Sequence, residues 1–275
     1  IKILFILAFS TICNAQIVNI TDANFKAALL SASPSNQIAA TNMPTTIGVV
    51  GSINISGYSK IDLNNDGEIQ VSEAQTILSL NITNKNIANL TGIGAFVNLV
   101  NLECGNNLIT SLNLAQNTNL KYLDCSNNLL TSLDITQNTN LLRNFCRDNQ
   151  LSNLNLSQNS LLNMLICRSN QLTTLDVSQN LNLIHLDCAS NQFTNLSLNN
   201  NTLLKVLGFS NNQITSIDVS NLTQLEYLGF DSNQISNLDI SSNTLLEILH
   251  CSNNQLTNLN TLNTTNLTAL YCNSN

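Results

Sequence analysis

Along residues 78–275 apolar and polar positions follow one short order that returns again and again. In the stretch LKYLDCSNNLLTSLDITQNTN at 120–140 the inward series is Leu120, Leu123, Cys125, Leu130, Leu133 and Ile135. Leu123 and Cys125 alternate with Tyr122 and Asp124, the period of two expected of a strand with one buried face. Leu133 and Ile135 alternate with Ser132 and Asp134 in the same way. The pattern therefore predicts two short strands per unit, back to back and joined at Asn-rich corners.

The unit length is fixed by the cysteines. Cys104, Cys125, Cys146, Cys167 and Cys188 recur at one constant step (125 − 104), which Cys251 and Cys272 repeat, and Phe209 and Phe230 fill the gap in the series. A corner asparagine keeps the same step without exception, from Asn107 through Asn128, Asn149 and Asn170 to Asn254 and Asn275. A carboxamide both donates and accepts, so a column of them can satisfy backbone groups that a tight corner leaves unpaired. One unit stacked many times is a solenoid.

These positions resemble the leucine-rich repeat family, whose core is L-x-x-L-x-L-x-x-N-x-L. With Cys at the third apolar position, the chain is similar to the cysteine-containing 21-residue variety of internalin-like bacterial surface proteins. The resemblance covers residues 78–275. An earlier turn using Leu80, Ile82, Ile87, Leu90, Ile93 and Phe96 sits one residue out of step, like the 22-residue subtype. The resemblance implies a right-handed superhelix with parallel strands on a concave face, short strands or irregular turns on the convex face, and a small helical N-terminal cap. It also implies a partner on the concave face. Three departures are local: Asn144 replaces a core Leu, Leu222 replaces a corner Asn, and Thr261 and Thr264 loosen the last full turn.

Eight cysteines would suit a disulfide framework. Equivalent side chains of successive turns instead point inward in parallel, whereas a disulfide needs converging Cβ vectors. Phe209 and Phe230 at the same position mark an apolar filler site. A buried ladder of free thiols is expected; disulfide or metal pairing is the alternative.

Residues 1–15, IKILFILAFSTICNA, read as a secretory signal peptide cleaved after Ala15, with an apolar run too short to span a bilayer. Cys13 offers a lipoprotein alternative, against which Ile12 occupies the position where a small residue is needed. Export places the remainder outside the cell or on its surface, with no further segment able to span a membrane. The net charge of −7 becomes −8 without Lys2 (8 − 16), which disfavours nucleic acid as a partner. The chain starts without Met and stops at Asn275 inside an unfinished turn that lacks a polar cap, so more protein is expected after it.

Residues 16–77 form the expected N-terminal cap. Thr21 and Asp22 followed by Phe25, Ala28 and Leu29 read as a capped amphipathic helix, and residues 31–60 as an irregular insertion. Residues 62–73, DLNNDGEIQVSE, match D-x-[DN]-x-[DN]-G-x5-E. Asp62, Asn64 and Asp66 would supply side-chain oxygens, Glu68 its carbonyl, Gln70 a water-mediated contact and Glu73 a bidentate carboxylate to Ca2+. Ser72 and Gln75 read as a capping box for an exiting helix. The loop resembles that of an EF-hand, and a similar helix and loop precede the repeats of secreted Bacteroidetes-type proteins. The resemblance implies a structural calcium clamp between cap and repeats; the plainer alternative is a polar turn with a helix cap.

No Gly-x-Ser-x-Gly elbow, phosphate loop or His-Glu-x-x-His stands in the chain, so no enzyme is expected here. His185 and His250 lie about three turns apart, roughly 14 Å at 4.8 Å per strand, too far to share one metal. The main expectation is a binding module for a protein or glycan partner. A targeting arm for an enzyme domain beyond Asn275 and a structural spacer are the alternatives. All three arginines of the chain, Arg143, Arg147 and Arg168, fall in two adjacent turns beside Phe145, Met164 and Ile166. That composition suits an interface centre.

Overall fold

The structure is a computed structural model that describes residues 16–46 and 53–275; the signal-peptide reading of 1–15 lies outside the described residues. Its core is a ladder of three-residue strands. They are β4 (Ser79–Asn81), β5 (Asn101–Glu103), β6 (Tyr122–Asp124), β7 (Arg143–Phe145), β8 (Met164–Ile166), β9 (His185–Asp187), β10 (Val206–Gly208), β11 (Tyr227–Gly229), β12 (Ile248–His250) and β13 (Ala269–Tyr271). Each pairs in parallel with the next, and Leu80 lies beside Leu102 and Leu102 beside Leu123. The step from Leu80 to Leu102 is one position longer than that from Leu102 to Leu123, as the out-of-step early turn requires.

A strand this short cannot stand alone. Its stability comes from the column beneath it. Leu80, Leu102, Leu165, Leu186, Leu207, Leu228 and Leu249 are fully buried one above another, and Cys104 to Cys188 and Cys251 form a second buried column. At the two positions that lack Cys, Phe209 and Phe230 stack with ring centres 5.6 Å apart. The apolar interior runs unbroken from the N-terminal helix to the last turns, so each repeat is stabilised by its neighbours.

Two amide columns hold the corners. In the first, Asn128 Nδ2 donates to the carbonyls of Cys104, Cys125 and Ser126, and its Oδ1 accepts from Ile109 N–H. The residue just before each such Asn is left-handed, with φ of 53–58° from Asn106 and Asn127 through Asp148, Ser169 and Ser190 to Ser274. Asn, Asp and Ser fill that place; small polar residues tolerate the conformation best. In the second column Asn117, Asn138, Asn159, Asn180, Asn201 and Asn243 are fully buried. Each donates back to the preceding turn, as Asn159 does to Ile135 and Asn138.

The expected second strand of each unit does not form. Among the described residues that side shows one isolated bridge, Asn113 with Asp134. The reason is local: the side-chain oxygens of Asn113, Asp134, Asn155 and Asp176 accept the N–H two residues on. The chain turns there, and Asn138 N–H closes onto Ile135 O. The irregular-turn alternative is the one realised.

The N-terminal region closes the first layer. Helix α1 (Ala23–Leu30) buries Phe25, Ala28 and Leu29. Its N-cap Asp22 accepts from Phe25 N–H and, with its other oxygen, from Ala88 and Asn89 N–H in the first repeat. Partial burial pushes this carboxyl up, but the N–H groups of Phe25, Ala88, Asn89 and Asn24 together hold it below the ordinary value. Strand β1 (Ala39–Ala40) pairs antiparallel with β4 and covers that edge of the sheet. A small hairpin, β2 (Thr45–Thr46) and β3 (Ile53–Asn54), stands apart from it. Gly92, at φ 101°, lets the chain at Asn19 pass close by: a Cβ there would sit 2.8 Å from Asn19 O.

Candidate functional site

Two columns of each strand face away from the core. The first runs Ser79, Asn101, Tyr122, Arg143, Met164, His185, Val206, Tyr227, Ile248 and Ala269. The second runs Asn81, Glu103, Asp124, Phe145, Ile166, Asp187, Gly208, Gly229, His250 and Tyr271. Chemistry changes from strand to strand along both, while the inward columns stay Leu, with Asn144 the exception, and Cys or Phe. Burial of Glu103, with Asp124 beside it, pushes its carboxyl up although Asn101 donates to it.

Register brings the six residues of the arginine patch together: Arg143 lies beside Met164, and Phe145 beside Ile166. An interface centre needs exposed side chains, and their exposure is uneven. Arg143 is 4 % exposed and Met164 6 %, whereas Phe145, Arg147 and Ile166 are half-buried and Arg168 is exposed. Neighbouring strands are closer together than these side chains are long, so members of the first column lie across one another. The Arg143 guanidinium sits 5.8 Å from the Tyr122 ring centre, a cation–π contact. Arg147 pairs with Asp148 at 3.2 Å and Arg168 with Asp187 at 3.6 Å. Asn144 lies beneath, fully buried; its Nδ2 is 3.9 Å from Cys146 Sγ and its Oδ1 has no donor among the described residues.

Beyond the patch the sheet opens into a cleft of about 410 Å³ lined by Arg168, His185, Asp187, Val206, Gly208 and Tyr227, with Ala189 and Ser210 at its end. Gly208 leaves its floor without a side chain at that place of the outward column. Tyr227 leans over Gly229: a Cβ there would meet the hydroxyl at 2.8 Å. Burial pulls the His185 imidazole down against the pull of Asp187, which favours the neutral ring. Past the cleft, His250 stacks on Tyr271 at 4.2 Å. Sequence reasoning passed over this cleft. Glycine at the outward place of β10, where β7 and β8 carry Phe145 and Ile166, was its signal.

The acidic loop is closed by its own hydrogen bonds. Asp62 accepts from Asn65 and Gly67 N–H, and Asp66 Oδ1 from Glu68 N–H. Asn64 and Gln70 turn their amide nitrogens to Asp66 Oδ2. Glu73 accepts from Leu63 and Gln70 N–H, and Glu68 pairs with Lys26 of α1 at 2.7 Å. Gly67 has φ 81° and Asn65 62°. The six positions thus share one loop with an all-oxygen donor set suited to a hard cation. Among the described residues the acidic side chains are not drawn together as a metal cluster. The exiting helix α2 (Val71–Ala74) starts two residues earlier than expected. Gln70 and Glu73 take the cap places assigned to Ser72 and Gln75, because Val71 N–H and Ile69 O pair with Gln16 and Val18.

A family profile described as Leucine Rich repeats (2 copies) matches residues 202–243. A search of curated proteins returns no match. Among solved structures, the functional domain of InlJ from Listeria monocytogenes, described as including a cysteine ladder, is 31% identical with a TM-score of 0.54. That similarity covers 79% of this chain and 56% of InlJ's. The leucine-rich repeat protein LIC12759 of Leptospira interrogans is 28% identical with a TM-score of 0.70, covering 74% of this chain and 56% of its own. Internalin C2 of Listeria monocytogenes, 23% identical with a TM-score of 0.63, covers 87% of this chain and 93% of its own and shares the fold. The chain therefore spans little more than half the length of the first two. No helix among the described residues is long and apolar enough to cross a membrane. The parallel ladder, its cysteine and asparagine columns and these likenesses give the chain a solenoid fold of the leucine-rich repeat type.

Proposed function

We propose that this chain is a non-catalytic, exported binding module that engages a protein partner through the outward face of its parallel strands. One contrast carries the reading. The inward columns hold Leu, Cys and Asn from turn to turn, whereas the outward columns pass from Glu103 and Asp124 through Phe145 and Ile166 to Gly208 and Tyr271. A solvated face that only props up a solenoid has no need of half-buried Phe145 and Ile166 beside Arg147 and Arg168. Arginine forms bidentate contacts to carboxylates and Phe145 supplies an apolar anchor. Arg143 and Met164, being buried, would act as the platform under them. The net charge of −7 speaks against nucleic acid.

A calcium ion held by Asp62, Asn64, Asp66, Glu68, Gln70 and Glu73 would clamp the loop that links α1 to the first repeat. The oxygen donor set supports this role. Export to the medium or the cell surface accords with the likeness to internalins. Joint replacement of Phe145 and Arg147 by alanine, set against a change on the opposite side, tests the binding face.

A further inference from the structure

We infer that the hollow over Gly208, walled by Arg168, His185, Asp187 and Tyr227, is a subsite for a neutral saccharide. The inference rests on the reading of the strand face as the binding face and names a ligand class for one part of it.

The hollow is built by subtraction. Its column carries Phe145 and Ile166 before it and His250 and Tyr271 after it, but glycine at 208 and 229. The resulting volume, about 410 Å³, falls within the roughly 300–1,000 Å³ of small-molecule sites. Its charges balance: Arg168 Nη1 lies 3.6 Å from Asp187 Oδ2. A lone anion would meet Asp187 and a lone cation Arg168, so neither gains much. A neutral ligand with adjacent hydroxyls can use both, accepting from the guanidinium and donating to the carboxylate. Asp187 Oδ1 already takes Ala189 N–H at 3.2 Å, which fixes the carboxylate while leaving lone pairs free. The neutral His185 ring offers one donor and one acceptor, and Tyr227 offers a hydroxyl and an apolar ring. Val206 and the glycine backbone complete a partly apolar floor for the C–H face of a sugar ring.

Gly208 permits a clean test because its φ is ordinary and a Cβ there would meet only Asp187, with Oδ1 nearest at 3.4 Å. Phe at the same place in β7 shows that the column accepts a large side chain. The parent, Gly208→Phe and Asp187→Asn would be titrated with neutral glucan, mannan and galactan oligosaccharides, with heparin fragments as polyanion and chitosan oligomers as polycation. The expected result is binding of a neutral oligosaccharide by the parent, weakened at least about tenfold in both variants with an unchanged melting temperature. Absence of neutral-sugar binding, preference for heparin or chitosan, or equal binding by Gly208→Phe would overturn the inference. In those cases cell binding that still depends on Phe145 and Arg147 leaves the broader reading standing; loss of that dependence removes both.

Discussion

Asn149 Nδ2 donates to the carbonyl of Cys125, one turn earlier, at 3.0 Å. The same amide donates to Cys146 O and Arg147 O within its own turn, and its Oδ1 accepts from Leu130 N–H at 3.0 Å. One side chain thus ties two turns at the corner where neither backbone can satisfy itself. Asn149→Ala leaves the buried Leu130 N–H without its acceptor, while Cys125 O, Cys146 O and Arg147 O keep Asn128, Asn170 and Asn127 as donors. One orphaned buried donor costs about 1–3 kcal/mol. A destabilisation of about 1–3 kcal/mol is expected in urea unfolding, and a change below about 0.5 kcal/mol would refute the role.

The cysteine column predicts two behaviours. Cys104, Cys125, Cys146, Cys167, Cys188 and Cys251 are buried free thiols, and Cys272 is exposed. At neutral pH a thiol reagent should leave the six buried cysteines untouched in the native protein and reach them only after denaturation. Burial, reinforced by neighbouring thiols or Asp187, raises the pKa of Cys125, Cys167 and Cys188 in the folded state. The folded state therefore holds these protons longer than the unfolded chain does. Stability should be flat below the ordinary thiol value of 9.0 and fall as pH rises above it. Stability that holds to pH 11 would contradict the buried ladder.

Asn144 is the one break in the inward leucine column, and its buried Oδ1 lacks a donor among the described residues. Leucine fits at the neighbouring positions Leu123 and Leu165. Asn144→Leu should therefore stabilise the fold by about 1–2 kcal/mol. A loss of stability by calorimetry would mean that the amide has a partner or purpose of its own.

For the acidic loop, calcium should raise the melting temperature by mass action, with an affinity near about 10⁻⁴ to 10⁻³ M. Glu73→Gln should remove the shift. Melting curves that coincide with calcium and with chelator would reduce the loop to a polar turn held by Asp62 and Glu73.

Much of the fold was legible because each column is a local choice repeated once per turn. Cys125, Asn128 and Leu123 each state their place by recurrence, and Asp22 announces a helix start through its own capping chemistry. Burial of Arg143 and Met164 was not legible, since it arises from side chains of adjacent repeats lying across each other. The helix start at Gln70 depends on pairing with Gln16 and Val18, a contact that no local signal carries. The cleft escaped for a similar reason: Gly208 means a hollow only once Asp187 and Tyr227 stand around it.

The central claim, that the varied outward face binds, is tested most directly by titrating fluorescently labelled protein against intact eukaryotic and bacterial cells. Phe145→Ala with Arg147→Ala is compared with Asp176→Ala with Gln179→Ala, which line a cleft on the turn side. The account predicts at least about tenfold weaker binding, roughly 1.4 kcal/mol, for the first pair with little change in melting temperature, and parent-like binding for the second. Parent-like binding by both pairs, or a loss confined to the Asp176 and Gln179 pair, would contradict it.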